Sequence, residues 1–114
     1  MDEIYPLKIK LLKEKDRISI TFNDKQEYKI SSELLRVESP SAEVQGHGGG
    51  KVLLRNKEFV RIEKIEQIGN YAVRIIFTDG HNSGLYTWTK LLEFGKNHDQ
   101  MLKIYKNKCK EINH

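Results

Sequence analysis

Apolar and polar positions alternate in two segments of the first thirty residues. Leu7, Ile9 and Leu11 alternate with Lys8 and Lys10, and Ile18, Ile20 and Phe22 alternate with Ser19 and Thr21, so each segment predicts a strand with one buried face. Polar turns at 13–16 and 23–26 separate these strands from each other and from a third, short one through Tyr28 and Ile30. Ser31 or Ser32 then caps a short helix through Glu33, Leu34, Leu35 and Arg36, which ends before Pro40.

The period of two returns after residue 60. Tyr71, Val73, Ile75 and Phe77 form one wholly apolar face, while Ala72, Arg74 and Ile76 form a mixed one, the pattern of a central strand. Gly69-Asn70 before it and Asp79-Gly80 after it are turn signals, and the polar run continues from Gly80 to Gly84 before a shorter strand that ends at Trp88. Upstream, Val60 and Ile62 share a phase that Ile65 does not, and one extra residue near Glu63 or Lys64 restores it as a β-bulge. Thr87 or Thr89 caps a short helix containing Leu91 and Leu92 and stopped by Gly95. Asn97 and Gln100 have capping-box spacing at the start of a last helix, whose stripe is Leu102, Tyr105, Cys109 and Ile112. The expected fold is α+β: a mainly antiparallel twisted sheet of about five or six strands, a covering C-terminal helix and one or two short helices. The loop at 37–58 is expected near the turn at 79–84. A chain of 114 residues is one domain, spanning 1–114.

Composition narrows the function classes. No apolar run approaches the roughly 18 residues of a membrane span, the chain start is acidic, and one cysteine, Cys109, excludes an internal disulfide, so a cytoplasmic protein is expected. The net charge of +4 admits a nucleic-acid partner. The densest cations, Lys103, Lys106, Lys108 and Lys110, instead read as a solvated helix face, because no aromatic residues interleave with them to stack bases. Exposed edge strands leave pairing into a dimer open.

Catalytic signatures are missing. There is no Gly-x-Ser-x-Gly elbow and no His-Glu-x-x-His, and the glycine-rich run around His47 departs from a phosphate loop, with Gln45 and Val52 at the positions that need Gly and Ser or Thr. The His-x-Asp or His-x-Glu pair of an iron oxygenase is absent too, since Gly49, Ser83 and Gln100 follow His47, His81 and His98 at that spacing. His47 and His81 both lie in glycine-bearing loops. Brought together with Glu38, Glu43 or Asp79, they would bind iron or zinc.

Two ordered motifs, at 35–48 (LRVESPSAEVQGHG) and 68–88 (IGNYAVRIIFTDGHNSGLYTW), closely resemble the gamma-butyrobetaine hydroxylase-like N-terminal domain family. In that family the domain occurs alone, before an oxygenase domain, or joined to P-loop ATPases that carry iron–sulfur clusters, and it is not the catalytic part. The resemblance implies a non-catalytic accessory module that serves iron–sulfur cluster carriers or a 2-oxoglutarate oxygenase, with Glu43, Gln45, His47, His81 and Tyr86 exposed on one interaction surface. The alternative is a metal-binding protein using His47 and His81. Family members of the carnitine pathway hold zinc with three cysteines and one histidine. Ser39, Ser41 and Val44 stand at those cysteine positions here and His81 at the histidine, so that zinc site is not expected.

Overall fold

A computed structural model describes residues 3–40, 54 and 56–112. Strands β1 (Pro6–Leu11), β2 (Arg17–Phe22) and β3 (Glu27–Ser31) form one antiparallel sheet in the order β1-β2-β3. Helix α1 (Ser32–Val37) follows directly, and the Ser31 hydroxyl caps it by accepting from Leu34 N–H at 3.2 Å. Strands β4 (Ile62–Ile68), β5 (Ala72–Phe77) and β6 (Leu85–Thr87) form a second antiparallel sheet in the order β4-β5-β6. Both are meanders, and β5 is central, as its one wholly apolar and one mixed face predict.

The expectation of a single sheet of five or six strands is corrected: the six strands divide into two sheets of three. The cause lies in the connection. After β3 the chain turns at once into α1, and the next described strand begins at Ile62, whose N–H donates to Lys15 O at 2.8 Å in the β1–β2 turn. That bond pins the start of β4 beside the first sheet without making β1 and β4 a ladder. The expected bulge is present, since the β4–β5 register shifts between Ile62 and Lys64.

The two expected helices run on from one another as α2 (Trp88–Ile112), broken at Asn97 (φ −114°, ψ 16°), the residue expected to start the second. Two residues before the break lies Gly95. A Cβ there would lie 2.7 Å from Tyr28 Cγ, so the missing side chain lets α2 pack closely on β3. His98, at the kink, accepts Ser31 N–H at Nε2 (3.2 Å) and ties α2 to the β3–α1 junction. Leu91, Phe94 and Tyr105 of α2 join Ile18, Ile20, Phe22, Leu34, Ile62, Ile75 and Phe77 in one core. Each fully buried side chain of this size contributes about 1.5–3 kcal/mol. Lys103, Lys106, Lys108 and Lys110 are exposed, as a solvated face requires, and Cys109 packs half-buried against the core. Among the described residues no helix is long and apolar enough to cross a membrane.

Candidate functional site

Three segments far apart in sequence meet at the turn after β5. Arg36 comes from the last turn of α1, Asp79 from the turn itself, and Lys57 from the stretch before β4. Asp79 Oδ2 accepts from Arg36 Nε and from Lys57 Nζ, both at 2.8 Å, and Oδ1 accepts the His81 backbone N–H at 3.2 Å. Burial by itself would raise the Asp79 pKa. The bonds from Lys57, Arg36 and the His81 N–H outweigh it and hold the carboxyl down from 3.8 to about 2. The turn has this shape because Gly80 sits at φ +90°, which a side chain rarely allows, and because Phe77 N–H closes it onto His81 O at 2.9 Å. The Arg36 side chain is only 9% exposed, so Asp79 is its charge partner in a place where an unpaired guanidinium would be costly. Its Nη1 is buried with no hydrogen-bond partner among the described residues.

Beside this ion pair lies a second polar group. Ser39 Oγ and His81 Nε2 are 2.9 Å apart, with the donor set by the imidazole tautomer, and the ring leans on Phe77 at 6.0 Å between centroids. The Tyr86 hydroxyl donates to Leu35 O at 2.5 Å and also meets Ser39. Burial pushes its ionisation far above the ordinary tyrosine range against the opposing pull of Ser39 and Arg36, so it stays a neutral donor. Gly84 closes the group from the other side. A Cβ there would run into Ser39 Oγ and stand 3.3 Å from both Pro40 Cδ and Tyr86 Cε1. The two ends of the 37–58 loop thus reach the 79–84 turn as expected, one through Ser39 and the other through Lys57; the rest of that loop lies mostly outside the described residues.

The sequence-derived site residues divide sharply. Glu43, Gln45 and His47 lie outside the described residues. His81 and Tyr86, expected on an exposed surface, are 6% and 0% exposed, which corrects that expectation. Tyr86 is a core residue because its ring completes the apolar packing against Phe94 while its hydroxyl reaches a carbonyl that α1 leaves unpaired. Ser39 and His81, placed by the resemblance at zinc-ligand positions, are indeed neighbours. Their direct hydrogen bond does not suit zinc, because two donors at about 2.0–2.1 Å from a tetrahedral ion would stand further apart, near 3.3 Å. Among the described residues no group of three or more His, Cys, Asp or Glu side chains could hold a metal ion. Sequence reasoning missed the roles of Arg36, which lies in the 35–48 motif but reads there as a helix residue, and of Lys57, which carries no motif signal. It also assigned Gly84 only to a loop, although a glycine two residues before a buried tyrosine hints at close packing.

Comparison with known proteins gives a consistent picture. The pattern of the gamma-butyrobetaine hydroxylase-like, N-terminal family matches residues 9–92. Two proteins with NMR solution structures are 38% and 37% identical to the chain, with TM-scores of 0.83 and 0.85. They cover 99% and 98% of it, and the matches span 85% and 89% of their own chains. A crystallised protein of unknown function from Acidithiobacillus ferrooxidans, belonging to the DUF971 family, is 32% identical with a TM-score of 0.64, covering 75% of this chain and 86% of its own. No curated protein matches the chain. With a family match over most of its length and relatives at this identity and coverage, the chain belongs to the gamma-butyrobetaine hydroxylase-like N-terminal family.

Proposed function

We propose that this domain is a non-catalytic protein-interaction module, serving iron–sulfur cluster carriers or a separately encoded 2-oxoglutarate oxygenase. The observation that supports this reading is how the motif residues use their polar atoms. Asp79 spends both carboxylate oxygens on Arg36, Lys57 and the His81 N–H, and the Tyr86 hydroxyl is taken up by Leu35 O. A general base or nucleophile needs reach to a substrate proton. These groups fix a backbone shape instead, as a docking module requires.

The test is isolation of complexes from cells expressing the untagged chain, by cross-linking and mass spectrometry, with metal analysis of the same material. A partner present in stoichiometric amount, belonging to the carrier or oxygenase classes, is the expected result. Stoichiometric iron or zinc that is lost in His81→Ala and His47→Ala, with no partner recovered, would overturn it in favour of a metal-binding protein.

A further inference from the structure

Among the described residues β1 pairs only with β2, and β4 only with β5, so each keeps one free edge. The two free edges border a single cleft. At its closed end Ile62 N–H is pinned to Lys15 O; β1 runs toward that pin and β4 away from it. The cleft holds about 580 Å³, and Leu7, Ile9 and Leu11 of β1, Ile65 of β4, Val73 and Trp88 make up the larger apolar part of its lining. Volumes of about 300–1,000 Å³ are those of bound ligands. A strand of six residues, the length of β1, spans about 20 Å.

We propose that this cleft docks an extended segment of a partner protein, with apolar residues at alternate positions and carboxylates between them. The inference rests on the interaction-module reading and names the surface and the partner chemistry. Strand edges supply main-chain donors and acceptors that only another extended backbone satisfies in register, and side chains alternate along such a segment. One face of the guest meets Ile9, Ile65, Val73 and Trp88, which requires apolar residues at period two. The other meets the rim, where Lys8 and Lys64 outnumber Glu63, and where the Glu66 carboxylate 3.4 Å from Lys64 Nζ is shared with Arg74, on a chain of net charge +4. A second copy of this chain is the poorer guest, because two β1 edges side by side bring lysines opposite lysines.

Trp88 is the one tryptophan of the chain and lines the cleft, so its emission reports occupancy. The probe is a blocked hexapeptide alternating valine and glutamate, titrated to millimolar concentration, beside an isomer with its three valines adjacent. The alternating peptide is expected to shift Trp88 saturably and to slow amide exchange along β1 and β4. Lys8→Glu/Lys64→Glu, both at exposed positions, should weaken it by about tenfold while near-ultraviolet circular dichroism stays unchanged. Equal binding of the two peptides, equal binding by the double variant, or no shift in Trp88 would each overturn the proposal. So would a concentration-dependent dimer that the alternating peptide fails to displace. A partner captured equally by the wild-type chain and the double variant would remove the cleft and leave the interaction module standing, whereas a wild-type chain that captures no partner removes the module itself.

Discussion

The turn after β5 and the cleft between β1 and β4 are built on opposite terms. At the turn, polar side chains from three distant segments are bonded to one another, Arg36 and His81 buried and Lys57 and Asp79 partly exposed, with Asp79 serving Arg36, Lys57 and His81 at once. At the cleft, two strand edges lie open among the described residues, and an apolar floor is rimmed by Lys8, Glu63 and Lys64, with Leu7 49% exposed. The first region spends its chemistry inward and holds the chain together. The second leaves its bonding capacity unused. A residue's conspicuousness in a motif therefore does not place it at a binding surface: His81 and Tyr86 are conspicuous and buried, while the residues of the cleft are ordinary strand residues.

Removing Asp79 should break that contrast most severely. Among the described residues, Asp79→Ala leaves Arg36 buried without a counter-charge, with an Nη1 that already lacks a partner. Removing one partner of a fully buried pair costs about 3–5 kcal/mol, and partial exposure of Asp79 places the expected loss near the lower end, about 3 kcal/mol by urea denaturation. The pH dependence has a definite sign. The folded pKa of Asp79 is depressed to about 2 from 3.8, so the unfolded chain takes up the proton first as pH falls. Its contribution is complete above about pH 5, declines as pH drops through 3.8 and is gone below about 2. The stability gap between the wild-type chain and Asp79→Ala should close over that window; a gap that persists unchanged at pH 2 would separate the effect from the carboxylate.

Gly84→Ala comes next. Its Cβ meets Ser39 Oγ, which must rotate out of its bonds to His81 and Tyr86, for an expected loss of about 2 kcal/mol. Ser39→Ala in the same chain removes the obstructing oxygen. The double variant should therefore be less destabilised than the sum of the two single ones, and strict additivity would show that Gly84 acts elsewhere.

How much of this was legible beforehand follows from the range of each interaction. All six strands, the Ser31 cap and the β4 bulge are written in local periodicity and turn chemistry, and each is found close to where the residues place it. The division into two sheets was not legible, because it depends on where the chain re-enters after α1 and on one bond from Ile62 to Lys15. Likewise Arg36 reads as an ordinary helix cation, and Lys57 as a loop lysine. Only the fold brings them to one carboxylate across 43 and 22 residues of sequence. The Ser39–His81 pair was reachable solely through the family resemblance, which put both at positions that neighbour one another around zinc in other members.

Tyr86→Phe separates hydroxyl from ring. The ring packs against Phe94 and survives, while Leu35 O loses a buried donor, so about 1 kcal/mol is expected from thermal unfolding. A loss as large as that of Gly84→Ala would mean that the hydroxyl organises Ser39 and His81 as well as α1.

The smallest effect belongs to the cleft, and it sharpens the comparison. Leu7 is half-exposed and Lys8 is exposed, and neither belongs to the buried core. Lys8→Glu and Leu7→Ser should each shift unfolding by less than about 0.5 kcal/mol, the range of surface substitutions. Both remove what an acidic, alternating guest would hold. Unchanged stability combined with lost peptide binding is the signature of a surface kept for a partner, the inverse of Asp79. If Leu7→Ser instead destabilised the chain as much as Tyr86→Phe, the β1 edge would belong to the architecture, and the two regions would differ in polarity alone.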